Sequence, residues 1–432
     1  MSKISHIRAR EVLDSRGNPT LEIELFLDDG AFGRAIVPAG ASKGKAEAKE
    51  LRDGDPKRYF GRGMLKAIAN VEQQISPALR GVSAMDQTMV DRRLIALDGT
   101  ADKGRLGANV LLGVSIATAR AAAASARLPL YRYLGGFAAA VLPVPMVNIM
   151  SGGVHGGGNI DFQDYQVIPL RASRFSEGLA DVAAIYRAAK DTLKSHGVYR
   201  PGVADEGGYA PELETNEQGF EFLVEAIERA GLKPGGQAAI AVDVASSHFY
   251  SNRRYHMVRE GVETDSEGMV KRLADACARY PIVSIEDGLA EDDWNGWELL
   301  TKQLGSRVQL IGDDLFATNP ARLRQGIEAG AANAVLVKMN QIGTLTETLE
   351  VIELAKRHGY RSVVSARSGE TEDDTMADLA VASGAGQIKV GAVARSERLA
   401  KYNRLLRIEE ELGDRAAYKK GAPGSLWGVN GK

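Results

Sequence analysis

Short apolar, partly β-branched runs that each end in a charged residue recur through the second half of the chain. This repetition constrains the fold more than any other feature of the sequence. Ile282-Val-Ser-Ile285 runs into Glu286 and Asp287, Ala238-Ala-Ile-Ala-Val242 into Asp243, and Val308-Gln-Leu-Ile-Gly312 into Asp313 and Asp314. Ala334-Val-Leu-Val337 ends in Lys338, Arg361-Ser-Val-Val-Ser365 leads to Arg367 and Ser368, and Gly386-Gln-Ile388 leads to Lys389. Runs of this kind read as buried strands. A charge at the end of such a strand is costly unless it is paired, hydrogen-bonded or bound to an ion. Segments between them, such as 345–358 and 374–383, have helical character. Strand and helix in alternation predict an α/β fold with a parallel sheet closed into a β/α barrel, its site at the carboxyl ends of the strands. That rule gathers Asp243, Glu286, Asp313, Lys338, Arg367 and Lys389 at one mouth. Any one of them alone would read as a salt bridge or a solvated loop charge; six at equivalent strand ends point to chemistry.

The amino-terminal part follows a different pattern. Residues 4–12, the turn cluster Asp14-Ser-Arg-Gly-Asn-Pro19, the strand 21–27 and the hairpin turn Asp28-Asp-Gly30 leading into 32–37 describe an antiparallel meander. Residues 56–134 read as helical, and the alanine-rich stretch 109–127 reads as a packing helix. Pro129 and Gly135-Gly136 mark its end. The expected division is an α+β capping domain at 1–135 and a barrel domain at 136–432.

Between these landmarks lie loops with two readings each. Gly40-Ala-Ser-Lys-Gly44 is either a surface connector or a loop in which Ser42 offers a hydroxyl ligand and Lys43 a charge to an anion. Ser151-Gly-Gly-Val-His-Gly-Gly-Gly158 fits neither a Walker loop nor a dinucleotide fingerprint, and presents His155 as a loop residue or as a substrate contact. Residues 162–169 read as a strand with Asp164 near its beginning, followed by a helix at 176–196. Asp205-Glu-Gly-Gly208 is a turn, or it sets two acids side by side so that one pKa rises, as a general acid requires. The last helix, 396–412, carries mixed charges and reads as a surface helix.

Composition narrows the chemistry. Lys+Arg is 54 and Asp+Glu 56, a net charge of −2, which gives no support to nucleic-acid binding. One cysteine, Cys277, builds neither a disulfide nor a thiolate metal site, and six scattered histidines form no zinc motif. A metal site would therefore rest on carboxylates, which suits Mg²⁺ or Mn²⁺. No signal peptide or membrane span is read from the sequence, so a cytoplasmic, soluble protein is the expectation. Lys338 beside a metal and a second cation such as Lys389 would have a depressed pKa and could act as a base. Arg367, with its fork of donors, suits a phosphate or phosphonate.

Asp14-Ser-Arg-Gly-Asn-Pro-Thr20, Glu50-Leu-Arg-Asp-Gly-Asp55, Asp205-Glu-Gly-Gly208, Ser284-Ile-Glu-Asp287, Glu291-Asp-Asp-Trp294, Gly312-Asp-Asp-Leu315, Asn340-Gln-Ile-Gly343 and Arg367-Ser-Gly-Glu-Thr-Glu372 together resemble the enolase (phosphopyruvate hydratase) family over nearly the whole chain. The resemblance implies a barrel with a ββαα start under a meander-plus-helices cap. It implies two Mg²⁺ ions per site, one on Asp243, Glu286 and Asp313 and a second reached by Ser42. It also implies Lys338 as the base for the C2 proton and Glu206 as the acid assisting loss of the C3 hydroxyl. Arg367 and Ser368 would hold the phosphoryl group, Lys389 the carboxylate, and His155 and Gln163 would complete the pocket. A homodimer, alone or further assembled, is the implied state.

The departures from the family pattern are concentrated around that pocket. The usual Ser-Gly-Ala-Ser-Thr is Ala39-Gly-Ala-Ser-Lys43, the Gln-Glu pair is Gln163-Asp164, and Ser-His-Arg-Ser-Gly is Ser365-Ala-Arg-Ser-Gly369. Asn-Gly-Gly is Ser151-Gly-Gly153, an alanine is Gly156, an acid is His248 and a proline is Gly288. Several of these remove bulk, and Lys43 adds charge, while the metal acids, the base and the proton donor stay. The expected activity is elimination of water from a 2-phosphoglycerate analogue enlarged at phosphorus, as in the enolase-like synthesis of carboxyphosphonoenolpyruvate in phosphinate natural-product pathways. Ala366 would make room for the extra carboxylate and Lys43 would pair with it. The alternatives are a divergent glycolytic enolase and a non-catalytic paralogue with a binding or structural role.

Overall fold

The computed structural model describes residues 2–40 and 44–418. The chain opens with β1 (Ile4–Leu13), β2 (Pro19–Leu27) and β3 (Phe32–Ile36), paired antiparallel in the order β1-β2-β3. Gly17 and Gly30 supply the left-handed backbone of the two connecting turns, with φ of 72° and 85°. Helices α1 (Gln87–Asp98) and α2 (Ala108–Ser125) follow. Asp86 caps α1 through the Met89 amide at 2.9 Å, and Gly99 ends it in the left-handed conformation.

Helix α2 is apolar on almost every face because it runs through the core of the cap. It is long and apolar enough to cross a membrane, yet 83% of it is buried inside this domain. It rests directly on the sheet. A Cβ at Gly33 of β3 would lie 2.1 Å from the Ala117 carbonyl oxygen and 2.4 Å from the Ala121 nitrogen. The absence of a side chain at Gly33 therefore sets the distance between sheet and helix.

The second half is a closed eight-stranded barrel. Its strands are β4 (Val144–Ser151), β5 (Asp164–Pro169), β6 (Ala238–Asp243), β7 (Ile282–Glu286), β8 (Gln309–Gly312), β9 (Ala334–Val337), β10 (Arg361–Ser365) and β11 (Gly386–Gly391). They pair in chain order, β11 closing on β4. Strand β5 is antiparallel to both neighbours, while the remaining pairings are parallel. The helices α3 (Phe175–Ser195) and α4 (Asn216–Arg229) come only after β5, so the barrel begins ββαα. Because β5 is reversed, its first residue, Asp164, reaches the rim to which the other strands bring their last; it pairs with Asp243. The strand starts at Asp164, two residues later than its pattern suggests, because Phe162 and Gln163 turn into the site loop.

Outside the barrel lie α5 (Ser266–Arg279), α6 (Trp294–Leu304), α7 (Pro320–Ala329), α8 (Leu345–Arg357), α9 (Thr375–Ser383) and α10 (Ser396–Leu412). Helix α10 is not a plain surface helix. Arg398 and Lys401 are both 0% exposed and, with Tyr402, Leu405 and Ile408, face the barrel. Its mixed charges look solvated in sequence, but two of its cations point inward.

Gly33→Ala is expected to cost about 1–3 kcal/mol through overpacking against backbone, read as a lower urea midpoint. An unchanged midpoint would mean that β3 and α2 can separate without penalty.

Candidate active site

The strand ends converge as the alternating pattern requires. Asp243 ends β6 and Glu286 ends β7, paired in register, and Asp313 follows β8; all three are buried. Two buried lysines face them. Lys389 of β11 donates from Nζ to Asp243 Oδ2 at 2.8 Å and to both oxygens of Glu286 at 2.7 Å. Lys338, just beyond β9, donates to Asp313 Oδ2. Gln341 Nε2 donates to the other Asp313 oxygen at 3.0 Å, and Gln163 Nε2 to Asp243 Oδ2 at 3.2 Å. The side-chain oxygen of Gln163, Oε1, is buried without a hydrogen-bond partner among the described residues.

Asp287 sets the spacing of this rim. It sits in the left-handed region at φ 42°, and its two oxygens accept the amides of Asp313 (2.8 Å) and Asp314 (2.9 Å). Asp287, Asp313 and Asp314 bring one potential donor atom each within 4.8 Å, as do His155, Asp164 and Glu206. Asp287's oxygens are already engaged by the backbone and Asp164's by Ser151 and His155. The carboxylates held by the two buried lysines are Asp243, Glu286 and Asp313. Three buried carboxylates with no sulfur among them form a hard oxygen set that fits Mg²⁺.

Charge balance decides the protonation of the rim. Burial pushes the Asp243 carboxyl up, but Lys389 and Lys338 outweigh it and hold the pKa at about 2. Asp313 is lowered in the same way, by Lys338, Lys389 and Arg367 against burial. Glu286 stands well above the carboxylate range because burial, Asp243 and Asp313 all oppose its charge. The depressed pKa expected of Lys338 is that of an amine beside a metal; among the protein groups alone the balance runs the other way. Burial does lower the pKa, but the adjoining Asp313 carboxylate wins and the amine is raised. Glu206 does not show the raised pKa that pairing with Asp205 suggested. Burial raises it, yet His155, Arg398, Lys389 and Lys338 together bring it below its ordinary value. Those cations, rather than its neighbour Asp205, govern the proton.

Glu206 is held by Asn148 Nδ2 at 2.9 Å and lines the cavity with His155 and Gln163. Asp164 does not line it. Its carboxylate accepts from Ser151 Oγ at 2.7 Å and sits 3.1 Å from His155 Nδ1, so it backs the histidine from behind. His248 also lines the cavity.

The opposite wall carries Arg367, Ser368 and Ala366. Arg367 is buried and forked onto Glu47 of the cap, Nη1 to Oε2 at 2.9 Å and Nη2 to Oε1 at 3.2 Å, and it also meets Asn340 Oδ1 at 3.1 Å. Gly40 reaches the edge of the cavity. Ser42 and Lys43 lie outside the described residues.

Residues 4–134 match the family model described as enolase, N-terminal domain, and residues 139–423 the one described as enolase, C-terminal TIM barrel domain. The chain belongs to the enolase family. Both halves of this enolase-family chain thus match, cap and barrel in sequence order. Family and acids together support an enolase-type dehydratase. Glu47, Asn148, Asn340 and Gln341 are site residues that strand-end reasoning passed over. Glu47 stands between Gly44 and Glu50 with no local pattern to mark it; the other three are polar side chains without charge.

Mg²⁺ is expected to raise the melting temperature of the protein, by up to about 2.7 kcal/mol of added stability at a concentration about 100 times the dissociation constant. Asp287→Ala, which frees the Asp313 and Asp314 amides, should weaken Mg²⁺ about 10–100-fold in a calorimetric titration. Equal affinity in the two proteins would remove Asp287 from the support of the site.

Proposed function

We propose that this enolase-family chain is a Mg²⁺-dependent hydro-lyase acting on a 2-phosphoglycerate analogue enlarged at phosphorus, giving carboxyphosphonoenolpyruvate. The observation that carries the reading is a complete acid and lysine rim beside an anion wall in which Ala366 adjoins Arg367 and Ser368. The chemical machinery supports elimination, and the small side chain at Ala366 supports a larger phosphorus group.

Mg²⁺ held by Asp243, Glu286 and Asp313, with Ser42 reaching a second ion, would supply positive charge against the dianion formed at the substrate carboxylate. Lys338 Nζ takes the C2 proton. Its amine is paired with Asp313, so it becomes a base only as that carboxylate turns to another cation. Lys389 then faces the substrate carboxylate. Glu206 gives a proton to the leaving C3 hydroxyl, and Asn148 fixes its direction. An anionic substrate would offset part of the positive field that His155, Arg398, Lys389 and Lys338 set around Glu206, favouring its protonated form. Arg367 and Ser368 receive the phosphorus group, Gln163 and His155 close the pocket, and Lys43 pairs with the extra carboxylate.

The test compares 2-phosphoglycerate with its P-carboxylated analogue by the absorbance of the enol product in Mg²⁺. The analogue should be favoured at least about tenfold in kcat/KM, a difference of about 1.4 kcal/mol. Ala366→His should reverse part of that preference by filling the space. Faster turnover of 2-phosphoglycerate would make the chain a glycolytic-type enolase, with its pocket departures of no consequence for substrate choice.

A further inference from the structure

Two buried cations on α10 stand outside the cavity and reach the loop that frames its anion wall. Arg398 Nη1 donates to the carbonyl oxygens of Arg367 (2.6 Å) and Val390 (3.0 Å), and Nη2 donates to that of Ser368 (2.7 Å). One turn later, Lys401 Nζ donates to the Thr371 carbonyl and lies 3.7 Å from Glu370 Oε1. Both side chains are 0% exposed. Burying a guanidinium is expensive unless its donors are engaged. Its hydrogen bonds go to main-chain carbonyls, and its nearest carboxylate, Glu397, is 3.7 Å from Nε. Such bonding fixes backbone.

The backbone it fixes is that of the two residues assigned to the phosphorus group. The same loop is held from the cap, where the amides and carbonyls of Ala39 and Gly369 exchange bonds at 2.7 and 2.9 Å and Ser15 bonds Glu370. Within the loop, Glu370 accepts the amides of Arg367 (3.4 Å) and Thr371 (3.1 Å). On its other side Arg398 packs across Gly391 from the Glu206 backbone. A Cβ at Gly391 would lie 2.8 Å from the Glu206 carbonyl oxygen and 3.1 Å from Arg398 Cδ, and Gly391 has φ 110°. Gly391 thus keeps the aliphatic stem of Arg398 close to the Glu206 backbone.

We propose that Arg398 is a positioning residue that presents Arg367 and Ser368 to the phosphorus group by holding their carbonyls, with Lys401 anchoring the far end of the same loop. This rests on the assignment of Arg367 and Ser368 as the anion wall. Inorganic phosphate, titrated calorimetrically into the full-length protein in Mg²⁺, reads the wall apart from any reaction. Arg398→Met and Lys401→Met should each weaken phosphate about tenfold or more, since displacement by about 1 Å can cost that much. Mg²⁺ affinity should stay close to wild type, while the melting temperature falls because buried carbonyls lose their donors. Arg398→Lys, which keeps a charge and one donor direction, should recover part of the phosphate affinity. Unchanged phosphate binding in Arg398→Met would overturn the proposal, as would an equal loss of Mg²⁺ affinity. A wild type that binds no phosphate would overturn it too, by removing the anion wall itself. A wild type that binds phosphate but turns over neither phosphorus acid would strike the proposed reaction and leave the positioning role standing.

Discussion

The rim of the barrel exists because buried acids and buried lysines neutralise each other there. Two unit charges about 4 Å apart attract by about 4 kcal/mol at an effective dielectric of about 20, and removing one partner of a buried pair costs about 3–5 kcal/mol. Asp243 and Glu286 share the Lys389 amine, and Asp313 has Lys338. The acids stay ionised at Asp243 and Asp313, and Glu286 is pushed toward its protonated form. A site built this way is poised for exchange. A divalent cation or an anionic substrate enters by replacing one partner of an existing pair, so the charge is never left uncompensated.

The barrel alone does not complete the pocket. The cap brings Glu47 to Arg367, and Ala39 and Gly369 pair backbone to backbone across the two halves. Gly369 allows that approach; a Cβ there would lie 2.5 Å from the Ala39 carbonyl oxygen. Arg16 adds bonds to the carbonyls of Ala39 and Gly40 at 3.2 Å. The early Asp14-to-Thr20 turn thus supports the loop of Arg367 and Gly369 although it lies far from it in sequence.

Much of this was legible in the chain. A buried strand that ends in a charge is a strong local signal, and eight strands in order leave one rim where those ends can meet. Asp243, Glu286, Asp313, Lys338 and Lys389 were read in this way. Glu47, Asn148 and Asn340 were not, because their partners Arg367, Glu206 and Arg367 lie 320, 58 and 27 residues away along the chain. The direction of the Glu206 shift was not legible for the same reason: it depends on which charges surround the carboxyl, and periodicity says nothing of that. Arg398 and Lys401 were hidden because a helix with mixed charges looks solvated until its inward face is known. The ββαα start was legible only through the family resemblance, since an antiparallel strand and a parallel one have the same composition.

The central claim is that Lys338, released from Asp313, removes the proton next to the substrate carboxylate. Proton NMR in D₂O with Mg²⁺ and the P-carboxylated analogue follows that step directly. The account predicts that the wild type replaces or removes the C2 proton and that Lys338→Ala leaves it in place while still binding Mg²⁺. Loss of the C2 proton at the wild-type rate in Lys338→Ala would contradict it.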